Sequence, residues 1–460
     1  MSTLTATPAI RQPANTTETG RTAFFWLCAF YLVYCARPED WIPGLAYIPL
    51  AKIAGIAAFL GLAFSFQKLK KASGPLPKEA FYLLAIIVLL FISGALSPVW
   101  KGGALSRTLD FAKVSIAWVL TLFLVTNFEK LRRIIFIQAG SVAVIAVVSI
   151  LKSRGHARLE GILGGIYSNP NDLAFAIVLS LPFCCAFLLT ARGGFRKSVW
   201  GIAMLMMVVS LFMTASRGGF ITLLVAGAVM LWHFGVRGKR FHLILATTLV
   251  VVILFATEGD KLVNRFFAIS GEYHTGLEKQ AYGSYEERKA LIILSFKVMG
   301  TYPLFGIGVR NFPSYSGYWR EVHVTYLQIG AEGGIPVLIL YALFFLRGFG
   351  NIRKFKRFQG TSAEMKLFAG ALHSSLVGFI VGASFAPEAY QYFPYFAVAY
   401  TSALLAIAKS HEQVDLPATT ANQSWRLREV HVTRELEPSR TGPRLQSPWL
   451  SDGEDRTRQR

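Results

Sequence analysis

Runs of roughly twenty apolar residues, separated by short polar or Gly/Pro breaks, recur along almost the whole chain, and a helix needs a run of that length to cross a bilayer. Twelve such segments stand out, at about 22–36, 43–66, 80–97, 107–127, 132–151, 171–191, 198–215, 218–235, 241–257, 324–346, 368–386 and 391–410. Backbone inside hydrocarbon must satisfy its own hydrogen bonds, so the pattern predicts an all-α polytopic membrane protein with about 12 transmembrane helices. Composition agrees, because 53% hydrophobic and 16% charged residues is too apolar for a soluble chain of 460 residues. Four cysteines exclude a disulfide-stapled scaffold; Cys28, Cys35, Cys184 and Cys185 lie in or beside apolar runs and read as core residues.

The formal charge of +21 suggests nucleic acid in a soluble protein, but here it reports topology. With a cytoplasmic N-terminus the short inward loops hold nineteen Lys and Arg and the short outward loops seven. The bias predicts that both termini are cytoplasmic, and it leaves the outer side almost neutral, so no nucleic-acid partner is expected. Residues 1–21 form a polar N-terminal arm with no cleavable signal, 22–410 the transmembrane domain, and 411–460 a tail rich in Arg, Glu, Pro, Ser and Thr that reads as disordered and cytoplasmic.

One long loop, 258–322, falls on the outer side. Its segment Tyr285–Met299 sets Leu291, Leu294, Phe296, Val298 and Met299 among charges, in the pattern of an amphipathic helix on the membrane surface. Tyr302–Arg320 follows, dense in Gly, Pro and aromatics, which suits either an interfacial belt or a stacking platform for sugar rings.

A few residues at this outer level have the chemistry to do more than pack. Arg217, in Met213-Thr-Ala-Ser-Arg-Gly-Gly-Phe220, reads as a snorkelling helix-end cation with Gly218 and Gly219 making the turn, or as a bidentate phosphate ligand. His323 opens the tenth apolar run and reads as an interfacial residue or, with a near-neutral pKa, as a general base. Tyr326 falls three residues further along the same predicted helix. Glu332, deeper in that run, needs a partner, because a lone carboxylate in a span is costly. Arg288 and Arg310 complete a set of cations suited to an anionic diphosphate, and Asn169, before Pro170, is a helix-start signal. There is no HExxH, paired CxxC or GxxxxGK[ST], so neither a metal site nor an ATP-driven pump is expected.

Ser216-Arg217-Gly218, the run Pro303-Leu-Phe-Gly-Ile-Gly-Val-Arg-Asn-Phe312, His323 before Tyr326-Leu-Gln, Glu332-Gly-Gly-Ile-Pro336 and Ser168-Asn-Pro-Asn-Asp-Leu173 together resemble the O-antigen ligase and O-antigen polymerase superfamily, over roughly residues 160–345. The resemblance implies a GT-C-like glycosyltransferase of the bacterial inner membrane with a long periplasmic loop. Such an enzyme uses no cofactor or metal and moves a glycan from undecaprenyl diphosphate to a hydroxyl of lipid A core, a protein or another glycan. By matching position, Arg217 and Arg288 bind the diphosphate and His323 activates the acceptor; Arg310 is a third expected diphosphate ligand, and Ser216, Tyr326, Glu332 and Asn169 are the supporting candidates. The family commonly carries Asn directly after this His, where Val324 stands here. Two other readings remain: a polymerase, whose acceptor is a lipid-linked repeat, and a small-anion (bicarbonate-type) transporter, for which Lys52, Asp110, Lys113 and Glu332 are the available intramembrane charges.

Overall fold

A computed structural model describes residues 20–72, 76–153, 158, 159, 161, 166, 167, 169–267, 276–410 and 412. Ser168 and the tail after residue 412 lie outside the described residues. The described chain is helical: α1 (Arg21–Ala36), α2 (Pro38–Trp41), α3 (Leu50–Ala72), α4 (Lys78–Leu96), α5 (Lys101–Leu124), α6 (Phe128–Lys152), α7 (Pro170–Thr190), α8 (Gly194–Met213) and α9 (Arg217–Leu231). A π-helical turn, Trp232–Val236, extends α9. Then come α10 (Phe241–Phe267), α11 (Gly276–Thr301), α12 (Phe312–Ser316), α13 (Thr325–Gly333), α14 (Ile335–Phe355), α15 (Ala363–Gly382) and α16 (392–410).

Each of the twelve apolar segments overlaps helix, and among the described residues seven helices are long and apolar enough to cross a membrane. The outward faces carry bare apolar side chains, among them Phe59 and Phe64 on α3, Leu84 on α4, Phe195 and Ile202 on α8, and Leu245 and Leu249 on α10. Water would penalise so extensive an apolar surface; lipid does not. Helix starts follow local chemistry. Asn127, Asn169, Ser216 and Ser362 each cap a helix by accepting a backbone N–H from its first turn, and Pro170 occupies a position where its missing N–H costs nothing. α7 is the most enclosed of the seven candidate spans, packed by α6, α8, α9 and α15.

Two features depart from the sequence reading. The 324–346 run is not one helix but α13 and α14, broken at Gly334 with φ +88°. Both ends of α13 touch the same end of the bundle. The Thr325 N–H donates to the carbonyl of Ala383 just past α15 (2.7 Å), and Ser93, in the last turn of α4, donates to the carbonyl of Glu332 (2.7 Å). α13, about 14 Å long at 1.5 Å per residue, therefore lies across that end while α14 alone continues as the span. In the same way Gly218 and Gly219 do not make the turn after α8. The turn is Thr214–Ser216, with Ala215 at φ +47°, and both glycines sit in the first turn of α9. There a Cβ on Gly219 would stand 2.7 Å from Ala174, so the small residue sets the α7–α9 approach.

At Gly334 an L-residue would be strained by its backbone and would place Cβ 2.4 Å from the Leu304 carbonyl oxygen. Gly334→Val is expected to destabilise the fold by about 3 kcal/mol or more. A thermal unfolding midpoint in detergent equal to that of the unmutated chain contradicts the break.

Candidate functional site: a charged cavity across one end of the bundle

The segment Gly306–Phe312 is fastened to α13 and to the α4–α5 corner. The N–H groups of Ile307 and Gly308 donate to the carbonyls of Ala331 (3.0 Å) and Glu332 (2.9 Å), and Ser97 Oγ donates to Ile307 (2.6 Å). Asn311 Nδ2 bonds to Ser97 Oγ and to the carbonyls of Trp100 and Ile307. Glu332, buried at the end of α13, accepts from the Phe312 N–H (3.4 Å), which is the partner its cost demanded. α11 covers this knot. Leu291 and Val298 are buried against Ile307, Phe312, Val322 and Ala331, while Ile293 and Phe296 stay exposed on the opposite face, so the amphipathic helix is a packing element as well as a surface one.

From this knot Arg310 projects at φ +53°, a backbone conformation that costs a non-glycine residue about 1–2 kcal/mol. It lines a cavity of about 550 Å³ together with Asn169 and Asp172 from the start of α7, Arg320, Glu321 and His323 from the approach to α13, Gln328 on α13, Pro387 and Gln391 from the α15–α16 loop, and Arg37 beyond α1. That loop is held to α13 by hydrogen bonds. Thr325 Oγ1 donates to the Ala386 carbonyl (2.7 Å) and accepts from the Glu388 N–H (2.9 Å), and Gln328 accepts from the Ala389 N–H (3.3 Å) while donating to Glu321 (3.2 Å).

The cavity is not a bare cluster of cations. Arg37 is held by Asp40 at 2.8 and 3.0 Å, and Arg320 pairs with Glu287 at 2.7 Å. The charge of Arg310 acts on Asp172, Glu321 and Glu388 together. Burial pushes the Glu321 carboxyl up against the opposing pull of Arg310, the Gln328 hydrogen bond and Arg107. Burial, and then the neighbouring Asp172, carry Glu388 well above the usual carboxylate range.

His323 precedes α13, with Val324 as its extended cap, so it does not share a helical face with Tyr326. The Tyr326 hydroxyl instead donates to the Ile380 carbonyl on α15 (2.7 Å). His323 Nδ1 lies 3.0 Å from the carbonyl of Glu321. A carbonyl only accepts, so Nδ1 carries the proton and Nε2 keeps its lone pair. Burial, then Arg288, push the imidazole down to about 4; the Glu321 carbonyl opposes this and Arg320 adds to it. The near-neutral pKa expected from the sequence is thus displaced downward, because the ring is enclosed beside two guanidinium groups.

Of the sequence candidates, His323, Arg310 and Asn169 line the cavity. Arg288 is close enough to act on His323. Ser216 and Arg217 are not among the residues lining the cavity; Ser216 Oγ donates to Asn171 in the first turn of α7 (2.7 Å), and a Cβ on Gly218 would meet Phe385. The charges weighed for a transporter do not converge: Asp110 and Lys113 pair with each other on the exposed face of α5, and Glu332 belongs to the knot. Glu321, Gln328, Glu388 and Gln391 escape the sequence reading. The polar run Pro387–Gln391 between the last two apolar segments was the available signal.

Fold and site together define a polytopic all-α membrane protein with a polar, charged cavity formed by the loops at one end of its helices. Residues 202–342 match the family model Wzy_C, O-antigen ligase. That stretch, about a third of the chain, is similar to the O-antigen ligase family, the family that its motifs resemble. No curated protein shows significant sequence similarity to it. The match takes in Ser216, Arg217, Arg288, Arg310, His323, Tyr326 and Glu332, whereas Asn169, Asp172 and the α15–α16 loop lie outside it.

Proposed function

We propose that the chain transfers a glycan from undecaprenyl diphosphate to a hydroxyl acceptor at the periplasmic face of the bacterial inner membrane, as an O-antigen ligase-type enzyme. In this reading the chain has about 12 spans in a GT-C-like arrangement and both termini in the cytoplasm. The observation that carries it is the place of His323, which lines a cavity of charged groups with Nδ1 3.0 Å from the Glu321 carbonyl, an arrangement that leaves Nε2 to accept a proton. Nε2 takes the proton of the acceptor hydroxyl as its oxygen bonds to the anomeric carbon. The bond from that carbon to the diphosphate oxygen breaks, its electron pair leaves with the diphosphate, and the configuration inverts. Arg217 and Arg288 stabilise the charge growing on the leaving oxygen. Arg310 acts on Asp172, Glu321 and Glu388, and these carboxyl groups, pushed up by burial, exchange hydrogen bonds with sugar hydroxyls.

The test is the purified full-length protein in liposomes with a lipid-linked glycan and either lipid A core, a protein acceptor or a second lipid-linked repeat. One capped product supports the ligase, and lengthening chains identify a polymerase at the same site. Passage of a small anion with no glycan transfer refutes the enzyme reading.

A further inference from the structure

At the opposite end of the bundle the structure holds a second cavity, of about 410 Å³, whose charged lining is entirely basic. We infer that it binds a phosphate-bearing anion. The cavity lies between the π-helical turn Trp232–Val236, α15 and the residue that follows α14, and its polar lining is His233, Arg237, Lys356 and His373. Among the described residues no Asp or Glu lines it, and the charges acting on both histidines are Arg237 and Lys356. This is the reverse of the first cavity, where every lining arginine has a carboxylate to answer it.

Local structure builds the arrangement. A π turn closes hydrogen bonds five residues apart and occurs preferentially at functional sites. Here the Arg237 N–H donates to the Trp232 carbonyl (2.9 Å), and the Arg237 guanidinium comes to 5.7 Å from the centre of the Trp232 ring. Gly370 lets the turn approach α15, since a Cβ there would meet Phe234 at 3.2 Å and His233 at 3.3 Å. One helical turn on, His373 Nδ1 meets His233 Nε2 at 3.2 Å. Two neutral imidazoles sharing one hydrogen bond leave one further N–H beside the two cations, and half-exposed Trp232 forms an amphipathic rim.

Two cations gathered beside an apolar wall without a carboxylate repel each other; an oxyanion with several acceptor oxygens relieves that cost. The phosphate can be a lipid headgroup or a free ion. The apolar part of the wall and the Trp rim suit the headgroup, while the cations suit both.

The experiment uses the full-length protein in phosphatidylcholine nanodiscs, measuring its thermal unfolding midpoint as phosphatidylglycerol replaces part of the neutral lipid and, separately, as inorganic phosphate is added. The midpoint is expected to rise with phosphatidylglycerol, and R237Q/K356Q to need roughly tenfold more of that lipid for half the effect. R196Q/K197Q, altered in the first turn of α8 at the same end, should behave as unmutated protein, and glycan transfer should persist in both. A rise with phosphatidylglycerol alone assigns a lipid headgroup; a rise with inorganic phosphate as well assigns phosphate generally. The proposal is overturned if neither probe moves the midpoint, or if R237Q/K356Q responds like R196Q/K197Q. Should the double variant not fold, K356Q alone, at an exposed side chain, is expected to show a smaller shift in the same direction.

Discussion

His323→Ala is expected to lower kcat/KM for glycan transfer by roughly 10²–10⁴, the contribution of a positioned general base, while the protein stays in the membrane at its normal level. The second half of the expectation is the pH profile. An unperturbed imidazole would impose a loss of activity as pH fell through about 6.5. Here the ring is held down to about 4, by burial first and Arg288 next, so it stays neutral and able to accept a proton well below that pH. The kcat/KM of the unmutated enzyme, which reports the free protein, is expected to show no imidazole limb between about pH 5.5 and 7.5 and to fall only toward pH 4. Full transfer by His323→Ala refutes the assignment. A titration near 6.5 that disappears in His323→Ala would instead mean that the ring stands in a wetter, less cationic place than described.

Arg217→Ala is expected to cost about 3–4 kcal/mol of transition-state stabilisation, a fall of roughly 10²–10³ in kcat with a smaller change in KM. The residue opens α9 immediately after its cap, Ser216, whose hydroxyl is shared between Gly219 and Asn171. Arg217→Lys keeps the charge and loses the fork, so a partial rescue measures how much of the effect is bidentate. If Arg217→Ala raises KM alone, the guanidinium binds the substrate before the reaction and nothing more.

Hydropathy found the helices because lipid forces backbone hydrogen bonding into local, helical form, and every apolar segment obeys that rule. It missed the Gly334 break for the same reason: a window average treats α13 and α14 as one run, whereas the break depends on a single dihedral and on the nearby Leu304 carbonyl. The motif residues of the site were legible because they cluster in sequence. Their electrostatic setting was not. Arg310 meets Asp172 and Glu388 only through the packing of α7 and the α15–α16 loop around α13, and the depression of His323 comes from enclosure. Nor was the pairing of individual charges around the cavity legible, as between Arg320 and Glu287.

The fastening of α13 also bears on when the molecule becomes competent during its synthesis. The knot and the histidine belong to the 202–342 region, yet they are tied to partners made much earlier, at Ser93 and Ser97, and to others made later, at Ala383, Ala386 and Glu388. A chain released before the α15–α16 loop leaves Thr325 and Gln328 without their partners and one wall of the cavity missing. The ligase segment is therefore no portable module. The cavity is complete only once the α15–α16 loop stands against α13.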